Sequence, residues 1–134
     1  MRKTVIGIDI SKMTIDATIV YFGKEESYHY SFLNKKLGYQ QLIKWVKEKS
    51  NDPDVLFCIE DTGYYGRDLC TYLEKKDKEY TIINPVEIKK SVGLVREKSD
   101  KYDSKLIAIY GLKFPERLCS NKVLNFVQRY SLGI

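Results

Sequence analysis

The chain has 134 residues, 43% of them hydrophobic, and a net charge of +5, which is typical of one globular domain. One histidine, and three cysteines without a CxxC pair, argue against His-based triads and common zinc sites. No apolar run approaches the ~18 residues of a membrane span and no signal-peptide core is present, so we expect a cytoplasmic protein with reduced, mostly buried cysteines, no membrane contact and a surface compatible with a polyanion.

The first third of the chain predicts an antiparallel meander of three strands, at 4–10, 14–22 and 28–33. The second strand alternates apolar and polar residues. Asp16 falls on the polar side of that alternation, and we therefore expect it to be exposed. A helix over 39–49 follows, and Pro53 lies in the segment that breaks it.

The remainder alternates strands and helices. The fourth strand, 55–60, shows no alternation, as expected for a strand covered on both faces. A helix over 66–76 and a strand over 80–84 follow, and Asn84, Pro85 and Glu87 mark the start of a third helix. The last clear helix spans 99–110 and is expected to end at Gly111 and Pro115.

This order, βββαβαβα, predicts an α/β fold with a mixed five-stranded sheet flanked by helices. It is the order of the ribonuclease-H-like fold, in which the first strand is central and the fourth lies beside it. Side chains at the ends of those two strands would then be neighbours.

Four acidic residues stand out as candidate catalytic and metal-binding residues: Asp9, Glu60, Asp100 and Asp103. Asp9 lies within an apolar strand, where a carboxylate is costly unless its charge is compensated. Asp100 and Asp103 are three apart on a predicted helix and would share a face. Four carboxylates suit two Mg²⁺ ions, with Mn²⁺ as a substitute, for chemistry on phosphates.

Each acidic residue also has a structural interpretation. Asp9 would bond nearby backbone at a strand end, and Glu60 would be a solvated strand end, as we expect of its neighbour Asp61. Asp100 and Asp103 would complement the dipole of their helix. The metal hypothesis depends on all four residues together.

Four motifs carry a resemblance to a known family. Ile6–Lys12 is similar to the opening motif of the DEDD transposases of the IS110 family, which are related to the Piv and MooV invertases. Glu60–Tyr64 resembles the E-x-T-G-x-Y element of that family, Ile83–Pro85 its V-N-P turn, and Lys98–Ser104 its K-T-D-x-x-D-A segment. The motifs occur in family order and cover about 5–110.

The resemblance implies a RuvC-like domain in which Asp9, Glu60, Asp100 and Asp103 bind Mg²⁺ for DNA strand cleavage and transfer. It also implies DNA as partner, a structured guide RNA, and a homo-oligomeric full-length protein. The surrounding motif positions are matched by Lys12, Thr62, Gly63, Tyr64, Asn84 and Pro85. Gly63 would also serve a tight turn, and Asn84 with Pro85 a helix cap.

Family members continue into a helical linker and a second domain with a catalytic serine. We therefore expect residues 1–115 to form the catalytic domain and 116–134 to begin a truncated linker, so that this chain alone is an incomplete recombinase.

Basic residues precede and enter the acidic helix, and they suggest a groove for a nucleic-acid backbone. The candidate contacts are Lys12, Lys89, Lys90, Arg96, Lys98, Lys101 and Lys105. An ordinary solvated helix face explains the six residues from Lys89 to Lys105 equally well. Lys12, in the turn after the first strand, would contact a phosphate, although a solvated lysine is the commoner case.

Three other functions remain open at this point. A free-standing RuvC-like nuclease or Holliday junction resolvase would cleave structured DNA without a further domain. Half of a sugar-kinase or actin-like ATPase is disfavoured because no second domain is present. A non-catalytic nucleic-acid-binding or dimerisation fragment would bind without metal and without cleavage.

Overall fold

The computed structural model describes residues 4–61, 63–92 and 100–122, without the side chains of residues 92 and 100–102. A five-stranded mixed sheet has the strand order β3-β2-β1-β4-β5. Its strands are β1 (Thr4–Ile10), β2 (Thr14–Tyr21), β3 (Ser27–Leu33), β4 (Leu56–Glu60) and β5 (Glu79–Ile83). β1, β2 and β3 pair antiparallel, whereas β4 pairs parallel with β1 and β5. The predicted topology is confirmed, and no predicted strand boundary is wrong by more than one residue.

The helices are α1 (Lys36–Lys49), α2 (Arg67–Lys75), α3 (Pro85–Val92) and α4 (Asp100–Lys113). α4 does not end at Gly111, which corrects the expectation that this glycine terminates it. The physical reason is packing. A Cβ at Gly111 would overlap the Cys58 sulfur and press on Val5, so the glycine permits a close helix–sheet contact in mid-helix.

Apolar layers cover both faces of the sheet. On one face, Ile6, Ile8 and Ile10 of β1 pack with residues of α1 and α2, including Leu42 and Leu73. On the other face, alternate sheet residues pack with α3 and α4 in a second cluster, which comprises Val5, Val20, Leu56, Cys58, Ile83, Ile88, Ile107, Ala108 and Tyr110. β4 is buried from both sides, as its unbroken apolar pattern predicted.

The contact between α4 and β1 fixes the direction of the helix. A Cβ at Gly7 would overlap the backbone of Ser104 and Ala108, and Gly111 lies further along the helix, against Val5. Since Gly7 lies nearer the carboxyl end of β1 than Val5 does, α4 runs antiparallel to β1. Its first turn therefore lies towards the end of β1 that carries Asp9.

The segment after α4 covers the outer edge of β5. Ser120 forms a bridge with Thr81, and the Asn121 side chain accepts a hydrogen bond from the Tyr80 N–H at 2.9 Å and donates one to the Lys78 carbonyl at 3.1 Å. Such cover protects unpaired strand backbone from pairing with another chain. The residues expected to begin a linker helix, Val123, Leu124 and Val127, lie outside the described residues.

The described cysteines are free thiols in different surroundings: Cys58 is buried, Cys70 half-buried and Cys119 exposed. Burial raises the pKa of the Cys70 thiol to about 11, so this sulfur is a packing group and not a nucleophile. In the parts of the chain that the structure describes, no helix has the length and apolar character needed to cross a bilayer.

Candidate metal centre

Asp9 and Glu60 end neighbouring parallel strands and lie side by side. The register of β1 and β4 pairs Gly7 with Cys58 and Ile8 with Ile59, and one further step places Asp9 beside Glu60. Adjacent strands are about 4.8 Å apart. Both carboxylates alternate with residues that pack under α4, and both are half-buried, so they face the first turn of α4 and remain accessible.

Asp103 approaches this pair from α4. It directly precedes Ser104, whose backbone touches β1 at Gly7, and it is half-buried. The pKa of Glu60 is raised, first by burial and then by the negative charge of Asp103, whereas Lys89 acts in the opposite direction. Asp103 thus lies within electrostatic range of Glu60.

Asp100 begins α4, one turn before Asp103. Its side chain lies outside the described residues, so its predicted place in the acidic group stays a prediction. Among the side chains that the structure describes, no three Asp, Glu, His or Cys residues stand close enough together to form a ready-made cation site. Repulsion between like charges opposes a tighter arrangement in the protein alone.

The donor chemistry nevertheless fits a hard divalent cation. Asp9, Glu60 and Asp103 offer carboxylate oxygens, the ligands that Mg²⁺ and Mn²⁺ prefer. Half-burial suits Mg²⁺ as well, because this ion keeps several waters and binds through only one or two carboxylates plus phosphate oxygens.

A further carboxylate, that of Asp16, lies on the same face of the sheet. Asp16 is only 7% exposed, which corrects the expectation that it faces solvent. It pairs directly with Asp9 across β1 and β2, and its Oδ1 lies 3.1 Å from Nε2 of His29 on β3. The polar side of β2 is covered because α4 packs on that face. The hairpin register, with Ile10 opposite Ile15, could have shown that Asp16 lies beside Asp9, although not that α4 covers it.

The motif residues around the acids are mainly structural. Gly63 has a φ of +71°, which favours glycine, and its N–H donates to Oδ1 of the exposed Asp61 at 3.0 Å. Asn84 caps α3 through a bond from the Val86 N–H to its Oδ1 at 2.8 Å, as predicted. Thr62 lies outside the described residues.

Basic and aromatic side chains surround the same end of the sheet. Lys89 and Lys90 on α3 are exposed, Lys12 is exposed just after β1, and Lys105 on α4 is half-buried. Of the other predicted contacts, Arg96 and Lys98 lie outside the described residues, as does the side chain of Lys101.

Just beyond β4, the Tyr64 ring is 75% exposed, and the Arg67 guanidinium lies 5.7 Å from its centroid. An exposed ring beside a cation offers a surface on which a nucleobase can stack.

Comparison with known proteins identifies the family. A family model described as a transposase, of the DEDD type of the IS110 family, matches residues 6–123. The pilin gene-inverting proteins of Moraxella bovis and Moraxella lacunata are each 35% identical over 117 residues, covering 84% of this chain and 35% of the relative. The chain thus spans about a third of the length of these curated relatives.

A solved structure supports the fold independently. The RuvC structure of Thermus thermophilus superposes with a TM-score of 0.59 at 9% identity, covering 84% of this chain and 95% of that one. At this identity the likeness concerns the fold alone. By the match of the family model, this chain belongs to the IS110 family of DEDD transposases.

Proposed function

From this family membership, we propose that the chain is the RuvC-like catalytic domain of a transposase or recombinase that cleaves and transfers DNA strands with a divalent cation. The observation that carries the proposal is a row of acidic residues, which begins with Asp9 and Glu60 at the carboxyl ends of β1 and β4 and which we call the acidic row. In it, Asp9 and Glu60 are adjacent by register and Asp103 is electrostatically coupled to Glu60.

Asp9, Glu60 and Asp103 would hold the cation, with Asp100 as the fourth carboxylate. Bound Mg²⁺ would polarise a phosphoryl oxygen and stabilise the attacking and leaving oxygens of an in-line displacement, and a second ion would complete a two-metal site. The half-buried carboxylates supply fixed negative charge on a rigid sheet. This rigidity keeps their oxygens in place while a phosphate enters.

The positive charges beside the row would hold the nucleic-acid backbone. Lys89 is close enough to Glu60 to oppose part of the rise in the pKa of that carboxyl. The Lys89 ammonium would therefore also lie within range of a phosphate bound at the acidic residues. Lys90 and Lys12 would extend this contact along the strand, with Lys105, Arg96, Lys98 and Lys101 as further candidates. Tyr64 would stack on an unpaired base near the cleaved phosphate.

We extend the proposal to the partners that the resemblance implies. DNA is the substrate, and the protein would act on it in the cytoplasm. A structured guide RNA would bind the same basic surface, and the full-length protein would act as a homo-oligomer. On this proposal, strand transfer requires a serine domain in addition to this one.

Mn²⁺ binding tests the proposal most directly. The 134-residue chain is titrated with Mn²⁺ and the free ion is measured by electron paramagnetic resonance. Saturable binding is expected for the wild type and at least a tenfold loss for Asp9→Asn and Asp103→Asn. The matched control is Asp61→Asn, which neutralises the exposed carboxylate next to Glu60 while its amide oxygen still accepts from Gly63.

Equal binding by all four proteins would contradict the metal centre. A second experiment separates the alternatives: four-way junction and linear DNA are incubated with the chain and Mg²⁺. Cleavage by the chain alone would favour the free-standing nuclease. Metal-independent DNA or RNA binding, with no cleavage even when the complete relative supplies the remaining domain, would favour the non-catalytic fragment.

A further inference from the structure

Asp16 occupies the next place in the acidic row. The register of the hairpin sets it directly opposite Asp9, so the row across the sheet runs from β2 through β1 to β4 as Asp16, Asp9 and Glu60. Paired Cβ atoms on adjacent antiparallel strands are about 5 Å apart. The sheet thus carries a carboxylate on three neighbouring strands at one level.

Burial distinguishes Asp16 from the other two. Asp9 and Glu60 are half-buried, whereas Asp16 is 7% exposed. One level further inside, Thr18 and Ser104 share a hydrogen bond of 2.6 Å that closes α4 onto β2. An ion that keeps its waters reaches the accessible carboxylates more readily than a covered one. Asp16 is therefore poorly placed to be a direct ligand.

The only histidine of the chain holds Asp16 in place. His29 lies opposite Thr18 on β3, and its Nε2 is 3.1 Å from Oδ1 of Asp16. Ser31, the direct partner of Asp16 on β3, lies on the same face. The imidazole contacts Asp16 from β3, on the side away from Asp9, because β2 lies between β1 and β3.

The link between β2 and β3 does not by itself require a negative charge at Asp16. A buried carboxylate is costly, and the cost rises beside a second carboxylate. A neutral amide at the same position would also link β2 to β3 through a hydrogen bond to His29. The charge is what an amide would lack, and the hairpin register sets that charge directly beside Asp9.

We propose that the His29–Asp16 pair is a positioning pair for the acidic row, in which Asp16 strengthens divalent-cation binding at Asp9 without contacting the ion. This inference rests on the proposed function of the row. Asp16 acts through the field of a fixed carboxylate about one strand spacing from Asp9, in surroundings where solvent screens poorly. His29 keeps that carboxylate in one orientation.

The test compares Mn²⁺ affinity and thermal stability in variants of the full chain. Asp16→Asn keeps the shape and the hydrogen bond to His29 but removes the charge, and it should weaken Mn²⁺ binding about tenfold, equivalent to 1.4 kcal/mol, without lowering the melting temperature. Glu79→Gln is the matched control. It removes a carboxylate on the same face of the sheet, four residues before Ile83, the partner of Glu60, or about 13 Å along β5.

The His29 variants give an independent readout. His29→Ala frees the Asp16 carboxylate and should weaken Mn²⁺ binding several-fold, while His29→Gln retains a donor and should restore near wild-type affinity. If Asp16→Asn does not fold, the two His29 variants test the positioning role, because both leave the Asp16 carboxylate in place.

Two different failures are distinguishable. Wild-type Mn²⁺ affinity in Asp16→Asn, with loss in Asp9→Asn, would overturn the positioning role and leave the metal centre standing. Where Asp16→Asn does not fold, equal affinities of the two His29 variants would overturn it. If the wild type itself binds no Mn²⁺, the proposed function fails first and this inference fails with it.

Discussion

The two faces of β1 are built for different purposes. Ile6, Ile8 and Ile10 point towards α1 and α2 and form part of a continuous apolar core. On the other face, Val5 is followed by Gly7, which has no side chain, and then by the carboxylate of Asp9. A single strand thus carries one apolar face and one face that ends in a candidate metal ligand.

The difference shows how one face positions the other. A slip by one residue would turn the isoleucines towards α4, where Gly7 leaves no room for a side chain, and would place Asp9 in the apolar core, so the two faces together fix the register of β1. That register in turn places Asp9 between Asp16 and Glu60. Gly7 then admits the backbone of α4, which brings Asp103 to the same end. The acidic row is therefore held by contacts that lie outside it.

The largest effect is expected where α4 meets β1. Gly7→Ala places a Cβ against backbone atoms of Ser104 and Ala108, which cannot move as a flexible side chain would. We expect a loss of more than about 4 kcal/mol in the free energy of unfolding, measured by urea denaturation with circular dichroism. Ile8→Val, on the opposite face, should cost only about 1 kcal/mol. Equal costs would mean that α4 is not docked this closely.

A core substitution on the α1–α2 face should separate stability from metal binding. Leu73 is fully buried on α2, and Leu73→Ala should cost about 2–5 kcal/mol in unfolding free energy. The folded fraction should still bind Mn²⁺ with wild-type affinity, whereas Asp9→Asn should remain folded and lose binding. Loss of Mn²⁺ affinity in folded Leu73→Ala would show that the two faces are not independent.

The hydrogen bond between Thr18 and Ser104 under α4 should contribute less to the free energy of unfolding. Ser104→Ala leaves the Thr18 hydroxyl buried without its 2.6 Å partner, and we expect a cost of about 1–3 kcal/mol. Thr18→Val combined with Ser104→Ala removes both hydroxyls and should cost less than the sum of the single changes. Urea denaturation of the three variants gives the coupling energy. Strict additivity would argue against the bond.

The smallest effect concerns the charge of Glu60. Its folded pKa is raised, chiefly by burial and next by Asp103, so its ionisation destabilises the fold progressively as the pH rises from the unfolded pKa to the folded pKa. In metal-free buffer, Glu60→Gln should therefore stabilise the chain at pH 7, by less than about 1 kcal/mol because solvent screens a half-exposed group.

The gain should disappear as the pH falls below the ordinary glutamate pKa of about 4.3, where both states are protonated. Thermal denaturation at several pH values measures this dependence. Asp61→Asn serves as a surface control and should change stability by no more than about 0.5 kcal/mol. Destabilisation by Glu60→Gln at pH 7 would contradict the assigned cause.

Much of the fold followed from local patterns. The isoleucine-rich strands, the Asn84 cap and the order of elements predicted the five-stranded sheet with its strand ends almost correct. The adjacency of Asp9 and Glu60 was expected from the ribonuclease-H-like topology, in which the fourth strand lies beside the first, and not from local patterns. The errors at Asp16 and Gly111 share one cause: both predictions assumed that a polar or small residue faces solvent or ends an element.

The sequence by itself determined the period of each element, and with it the apolar face that helps to fix the register and the acidic residues at the strand ends. Only the tertiary structure decided which residues α4 covers. Alternation along a strand separates its two faces but does not say whether the second face meets water or a helix. Docking of α4 against Gly7 buries Thr18 and Ser104, and the same face carries the covered Asp16, which belongs to the row with Asp9. The long-range contacts that decide this have no local signature in the chain.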